Sequence, residues 1–565
     1  MSKMPSTNRR VSKGRSRNGC ITCKIRRVKC DEQKPDCSKC LSTGRKCSGY
    51  SDHGDTPKGA QARFCIVQHV PGISQPTRLW QVPYSTDLLL EDEYRSLEFF
   101  QVHTTFCFGS GIGSYLLRAV YHEPILKTIA IALGSLHRSF AFSQDEPLDP
   151  EERTRFTLLR YNKAIRQLVS INPLTNPQSN DTFLIACILF FCFECLQGNY
   201  KLAFQHAISG LKIIKQERLI TNVSSLGTYM PIEKITLLFS ILENQVLEIE
   251  SESIILSDLR PTVSSYFPRL TMGSSLLPTD SIEDIFISFQ FLYNRFTRFL
   301  AICDPLIEPL ENQSNEFLAD IQSINIEYIQ VRTEIEAWLS LFEDWLQRRS
   351  SSRKELESDQ VIILKAWKLI IGIFIRLPLP PSELDWDHFT DDFSAVNSLV
   401  ASMIGAPSSE VLSQPSSLPE PTEPNIDQSE KIPKGSLLPT ILPKSSKSET
   451  SRFSLSLGVV TPLYLCATRC RESSVRYYSI RLMSYCQRRE GLWDSDLAAR
   501  IAKRIVTIEE MTAQISPTSE YFPADIGLAC RVTSLSPAFD QTKRVKIRYN
   551  REGLGSGLIE EIFTW

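Results

Sequence analysis

From Asp87 onward, apolar residues recur at helical spacing, which predicts a body built of α-helices. Tyr94, Leu97, Phe100 and Phe108 fall near one face. Tyr115 to Phe140 is apolar-rich and helical, with Pro124 marking a break or kink. Asp149-Pro150 is a start signal for an amphipathic helix over Glu151–Ser170. The next two helices form a hairpin: the first runs from Asp181 to about Gln197, Gly198-Asn199 turns the chain, and the second runs from Tyr200 to about Glu217. On the second helix Ala203, Ala207, Gly210, Leu211 and Ile214 repeat at i, i+4, i+7, i+8 and i+11, a face whose small residues allow close packing. Further helices are expected over 232–249, 282–303, 315–348, 355–376 and 388–404, and the pattern resumes at Leu457 and runs to about Gln514. The hairpin is not echoed at a period of about 34 residues, so a tetratricopeptide array is not expected.

Three stretches lack this periodicity. Residues 1–18 are polar and basic and are expected to be a disordered arm. Residues 51–86 carry Pro57, Pro71, Pro76 and Pro83 with Gly54, Gly59 and Gly72 between them, the composition of a linker. Residues 405–455 are rich in Pro and Ser and bury too little to offset the entropy of ordering. They read as a disordered insertion rather than a domain boundary, because helical spacing returns after them. The body is therefore one helical domain in two pieces, 87–404 and 456–515, followed by a mixed segment, 516–565, that packs on it or frays.

With 565 residues, 42% of them apolar, the chain is long enough for a large core and more than one domain. Its near-zero net charge hides an asymmetry. Residues 1–50 hold 14 Lys and Arg against 3 Asp and Glu, while the remainder holds 49 against 61. A basic head on an acidic body suits a nucleic-acid partner. Arg9, Arg10, Lys13, Arg15 and Arg17 suit nuclear import and added phosphate contact; a plain solvated tail is the alternative. The N-terminus has no apolar stretch of the kind a signal peptide needs. The most apolar run, Phe183–Phe193, falls short of the about 20 residues of a spanning helix, and Lys365 and Lys368 break Val361–Ile375, so no membrane partner is expected.

The candidate chemistry sits in residues 19–50. Cys20, Cys23 and Cys30 are spaced C-x2-C-x6-C, and Cys37, Cys40 and Cys47 repeat the spacing. So short a unit cannot fold on buried apolar area alone. Disulfides or metal must hold it, and without a secretory signal metal is the better reading. Two separate tetrahedral zinc ions need eight ligand sites, and six thiolates suffice only if two sulfurs are shared. By the symmetry of the repeat, the shared pair should be Cys20 and Cys37. Binding of this type contributes roughly 10–16 kcal/mol, which for such a unit is folding energy. The ten other cysteines, from Cys65 to Cys530, show no ligand spacing and read as small buried apolar residues.

This segment resembles the fungal zinc binuclear cluster of Zn(2)-Cys(6) transcription factors. The likeness includes the basic run Cys23-Lys24-Ile25-Arg26-Arg27-Val28-Lys29-Cys30-Asp31, Lys34-Pro35 before the fourth cysteine, and Gly49-Tyr50 after the last. More diffusely, His206-Ala207-Ile208-Ser209-Gly210-Leu211, Pro462-Leu463-Tyr464, Ala467-Thr468-Arg469-Cys470-Arg471 and Gly491-Leu492-Trp493 resemble the fungal-specific transcription factor helical domain. The resemblance implies a mainly α protein: a two-zinc DNA-binding head (19–50), a flexible linker, and a large all-helical regulatory domain with a disordered insertion. It places the first half's short helix in the major groove, reading CGG-like triplets. Arg27 is then the first candidate for a base contact and Arg26 the second, since arginine bonds guanine O6 and N7 in pairs. Lys24, Lys29, Lys39, Arg45 and Lys46 are expected on phosphates or in the local field. The second half, Leu41-Ser42-Thr43-Gly44-Arg45-Lys46, lacks the dense basic run, so one reading face is expected. No heptads occur over 51–86 and its prolines would break a coiled coil, which leaves monomer and dimer on DNA both open.

An enzyme is the rival class. Seven scattered histidines and the absence of H-E-x-x-H, G-x-S-x-G and G-x-x-x-x-G-K-[ST] argue against it. Glu194, which interrupts an apolar helix, reads as a satisfied or rim glutamate. Aromatics do not interleave with the basic run, which argues against an RNA binder. The expectation is a nuclear, zinc-dependent, RNA polymerase II-type transcription factor. Its expected partners are double-stranded DNA and transcriptional co-regulators. The alternative is a sensor whose helical body takes an apolar metabolite as effector and gates DNA binding or activation.

Overall fold

A computed structural model describes residues 20, 22–23, 28–44, 47, 91–109, 111–142, 150–170, 180–220, 229–249, 281–303, 315–350, 352–378, 381–407, 452–516, 519–539, 544–551 and 559–564. The expected arm 1–18, the linker 51–86 and residues 408–451 of the expected insertion lie outside the described residues. The chain divides into two compact units, Met1–Pro83 and Tyr84–Trp565. In the first, α1 spans Ser38–Leu41, and Thr22 and Cys23 are also helical.

The second unit is helical, as the spacing of apolar residues predicts. Its helices are α2 (Glu91–Val102), α3 (Gly113–His122), α4 (Pro124–Ala141), α5 (Pro150–Val169), α6 (Asn180–Gln197), α7 (Tyr200–Ile220), α8 (Ile232–Ile249), α9 (Ile282–Cys303), α10 (Asn315–Arg348), α11 (Arg353–Leu356), α12 (Asp359–Arg376), α13 (Thr390–Ile404), α14 (Val460–Arg469), α15 (Ser473–Cys486) and α16 (Ser495–Thr512). Pro124 marks a break between α3 and α4 rather than a kink. It occupies the first turn of α4, where a missing N–H has no intrahelical partner to lose. The hairpin is α6 and α7, turned by Gly198 at φ +78°, a conformation glycine adopts without strain. Among the described residues no helix is long and apolar enough to cross a membrane.

Two hydrophobic cores fill the body. One gathers α2–α8, and the other gathers α9, α10 and α12–α15. Helix α16 serves both. Leu497, Ile501, Ile505 and Ile508 enter the first core, while Ala498, Ala499, Ala502 and Val506 enter the second. Large residues on one face and small ones on the other let the helix lie between two packed layers.

Short strands interrupt the expected helical run. β1 (Arg452–Ser454) pairs in parallel with β2 (Arg488–Glu490), and β2 pairs antiparallel with β3 (Trp493–Asp494). Phe453 and Leu455 are buried, so the chain rejoins the core at 452, inside the stretch read as an insertion. Arg489 on β2 donates from Nη1 to the carbonyls of Cys195 (3.1 Å) and Leu196 (2.8 Å), satisfying the last turn of α6. The C-terminal segment forms an antiparallel sheet of β4 (Val532–Phe539), β5 (Arg544–Arg551) and β6 (Ile559–Thr564), with β5 central. Alternate residues Val545, Ile547 and Tyr549 of β5 are buried in the first core, and the Phe539 and Tyr200 rings lie 4.8 Å apart.

A buried ion network ties this segment to the helices. Glu509 accepts from Arg471 Nη2 (3.0 Å), Arg476 Nη2 (2.7 Å) and the Val532 N–H (2.9 Å). Arg531 donates to both carboxylate oxygens of Asp387 (2.8 and 2.7 Å) and to the Glu383 carbonyl (2.7 Å).

Candidate metal centre and nucleic-acid interface

In the head, two C-x-x-C steps build matching sulfur cradles. The Cys23 N–H donates to Cys20 Sγ at 3.4 Å, and the Cys40 N–H donates to Cys37 Sγ at 3.3 Å. The same i to i+3 bond in each half makes the sequence repeat a structural one. Cys37 is the N-cap of α1, so that helix carries Cys40 back toward it. Cys20, Cys23, Cys30, Cys37 and Cys40 are buried and Cys47 is half-buried.

The six sulfurs converge. Cys20 and Cys37 Sγ are 3.5 Å apart, Cys20 and Cys40 3.8 Å, Cys23 and Cys37 3.6 Å, and Cys23 and Cys40 3.9 Å. A tetrahedron with metal–sulfur bonds of about 2.3 Å has edges of about 3.8 Å. Two groups of four satisfy this crowding, each with its ligand atoms within 4.8 Å of one another. One is Cys20, Cys23, Cys30 and Cys37; the other is Cys20, Cys37, Cys40 and Cys47. Cys20 and Cys37 belong to both. Among the described residues these are the only groups of metal-ligating type. The donor set also calls for a cation: burial pushes the Cys20 thiol up to about 12 and raises Cys37 further, so thiolates there need positive charge beside them. The residues present therefore fit a pair of tetrahedral, thiolate-loving ions, and zinc supplies fixed geometry and folding energy without redox chemistry.

Asp31 closes the gap between the halves. Its carboxylate accepts from the N–H groups of Ser38 (3.0 Å) and Lys39 (3.5 Å) at the start of α1, and hydrogen bonding at Ser38 holds it below its ordinary value. No local capping motif signals this bond, because acceptor and donor are seven residues apart. Of the expected DNA-contacting residues, Lys29 and Lys39 are exposed, while Lys24, Arg26, Arg27, Arg45 and Lys46 lie outside the described residues.

In the body, several residues with chemical potential are occupied by packing. Glu194 is buried and accepts from the Tyr161 hydroxyl and from Asn199 Nδ2 (2.9 Å). His137 Nδ1 bonds Thr104 Oγ1 at 2.9 Å, and His206 stacks on Phe190 at 5.2 Å; burial pushes both imidazoles down to about 4, so they are neutral. Burial lifts the Cys187 thiol to about 12 and those of Cys192 and Cys195 well above the ordinary value, which leaves them unreactive.

Comparison with known proteins agrees with this geometry. The Fungal Zn(2)-Cys(6) binuclear cluster domain matches residues 18–56. Along nearly its full length the chain is 34% identical to the Aspercryptin biosynthesis cluster-specific transcription regulator atnN of Emericella nidulans, covering 98% of this chain and 96% of that protein. The chain belongs to the fungal Zn(2)-Cys(6) transcription regulators. The Transcription regulator lscL of Purpureocillium lilacinum is 28% identical over 37% of this chain and 52% of its own. White-opaque regulator 2 of Candida albicans is 49% identical over 9% of this chain and 11% of its own. No solved structure matches. A Zn(2)-Cys(6) regulator is a sequence-specific DNA-binding transcription factor that holds two zinc ions, and this chain has the thiolates clustered to hold them.

Proposed function

We propose that Cys20, Cys23, Cys30, Cys37, Cys40 and Cys47 ligate the two zinc ions, with Cys20 and Cys37 bridging. The observation that carries this reading is that the two four-sulfur groups share those two residues and no others. The clamped head presents the segment between Cys23 and Cys30 to the major groove. Arg27 and then Arg26 read guanine in CGG-like triplets, and Lys24, Lys29, Lys39, Arg45 and Lys46 hold phosphates. The exposure of Lys29 and Lys39 beside buried cysteines supports this division.

The layout we propose is an arm (1–18), the cluster (19–50), a linker (51–86), a helical regulatory domain (87–404 and 456–515) around an insertion (405–455), and a C-terminal segment (516–565). The protein acts in the nucleus on RNA polymerase II promoters, and its body regulates or recruits co-regulators rather than catalysing a reaction. By analogy with the relative named for aspercryptin biosynthesis, its targets are genes of a biosynthetic cluster. The test is selection of bound sequences from a random DNA pool by the full chain. Enrichment of CGG-like triplets, single or paired at fixed spacing, is expected. A pool left unenriched at any triplet contradicts the reading.

A further inference from the structure

The body contains a cavity of about 420 Å³ bounded by α8, α9, α12, α14, α16, β3 and β4. That volume falls within the range of about 300–1,000 Å³ typical of small-molecule sites. Its wall is largely apolar, with Phe296, Leu300, Phe374, Leu465 and Ile501 contributing. A few polar groups sit among them, and their states differ. Asp494 caps α16 and pairs with Arg489. Arg469 pairs with Glu383 and lies over the Trp386 ring at 5.4 Å. Both charges are thus already compensated.

Glu248 is different. It stands near the end of α8 on the cavity wall and accepts from Trp493 Nε1 at 2.6 Å. Tyr293 and Thr461 also donate to it, so all its protein partners are neutral. Among the described residues no Lys or Arg pairs with it. Burial raises its carboxyl; a nearby acid, Glu490, raises it further and is itself held by Arg488 (3.2 Å) and by the N–H groups of Val459 (3.0 Å) and Val460 (2.9 Å). Glu248 is thus a half-buried carboxylate on a largely apolar wall, held by neutral donors and near a second carboxylate, with no cation paired to it among the described residues.

We propose that this cavity is a binding site for a small apolar molecule carrying one protonated amine, whose ammonium pairs with the Glu248 carboxylate while its hydrocarbon part fills the apolar chamber. Geometry assigns both halves of the ligand: the aromatic and aliphatic wall sets the body, and the uncompensated acid sets the head group. Titration supports it. Desolvation, helped by Glu490, pushes the Glu248 carboxyl up to about 7 against the hydrogen bonds from Tyr293, Trp493 and Thr461. The remaining ionisable groups on the wall are Tyr293 and Tyr464, both raised by burial, and Arg469 and Asp494 with their partners. A bound ammonium favours the charged acid, so binding releases protons near neutrality. Affinity for an amine then rises with pH through about 7 and levels above it.

The experiment titrates the full zinc-loaded chain with phenylalkylamines, and with phenylalkanols and phenylalkanoates of the same chain length, by calorimetry and thermal shift from below to above neutrality. The amines should bind best, the alcohols more weakly and the carboxylates not at all. Glu248→Gln keeps an acceptor for Trp493 and should lower amine affinity at least about tenfold, the scale of one lost charge pair, while flattening its pH dependence. Ala301→Phe, which fills the chamber from α9, should abolish binding of every probe. The proposal is overturned if the amines do not bind, if alcohols or carboxylates bind as tightly, or if Glu248→Gln binds amine with unchanged affinity and pH profile. None of these outcomes bears on DNA reading by the head, which the random-pool selection tests.

Discussion

Replacing Glu509 with glutamine tests how the C-terminal segment is fixed to the helical body. The carboxylate is fully buried, as are Arg471 and Arg476, which it neutralises, and it also receives the Val532 N–H that opens β4. Arg471 keeps a second acid, Glu383, at 2.8 Å, but Arg476 has no other carboxylate within salt-bridge distance among the described residues. A glutamine can accept from one arginine only by turning its own NH₂ toward the other. Removing one partner of a buried pair costs about 3–5 kcal/mol, because the remaining charge stays buried and uncompensated. Against the roughly 5–15 kcal/mol of a folded domain, that is a large share. The assay is urea unfolding of the full chain, followed by tryptophan fluorescence, as a function of pH. Burial pushes Glu509 up, but Arg476 and Arg471 outweigh it and hold the native carboxyl below its ordinary value of 4.5. The unfolded chain therefore takes up this proton first on acidification. The stabilisation is complete above the unfolded value and is lost as pH falls through the native one. Glu509→Gln should lose about 3–5 kcal/mol at neutral pH and shed part of the acid slope seen in the wild type. A loss below about 1 kcal/mol, or an acid limb identical to the wild type, would refute the reasoning.

Three other outcomes are expected. Arg27→Ala should weaken binding to a CGG-containing duplex roughly 5- to 150-fold while changing binding to random duplex little, read by fluorescence anisotropy. Lys39→Ala, at an exposed position proposed to meet phosphate, should weaken binding to all sequences alike and reduce the slope of log affinity on log salt by about 0.9. Gly134→Ala should destabilise more than Gly210→Ala in thermal unfolding, with each near 1–3 kcal/mol. A Cβ at 134 would meet the fixed Ser96 carbonyl oxygen at 2.1 Å, whereas one at 210 meets the Phe239 ring at 2.2 Å, and a ring has room to swing.

Much of this molecule was legible from residue spacing, for physical reasons that differ by region. Helices α8, α9 and α10 fall where the apolar period placed them, because long amphipathic segments write their exposed face into the sequence. The α6–α7 hairpin was equally plain, since Gly198-Asn199 is a turn between two apolar runs. The strands were not. β2 reads Arg488-Arg489-Glu490, a charged sequence whose strand geometry comes from pairing with β1 across an insertion and from the Arg489 bonds to α6. β5 does alternate at Val545, Ile547 and Tyr549, yet its meaning depends on two flanking strands and on the core beneath. The doubled face of α16 is not marked in the sequence, because alanines on its far side carry little signal until a second core is seen to rest on them. In the head, the symmetry of the cysteine repeat pointed to Cys20 and Cys37 as the pair to be shared, and these two residues belong to both four-sulfur groups. The Asp31 cap and the Glu248 chamber were hidden, since each is assembled by residues that no local pattern links.

The central claim is that two zinc ions share the Cys20 and Cys37 sulfurs and so shape the DNA-reading head. Zinc per chain, measured by native mass spectrometry on the full-length protein, tests it most directly. Wild type should carry two ions, Cys30→Ser and Cys47→Ser should each weaken chiefly one, and Cys20→Ser should lose both together with CGG binding. A Cys20→Ser protein that kept one zinc at full occupancy, or a wild type carrying a single ion or disulfides in its place, would contradict the account.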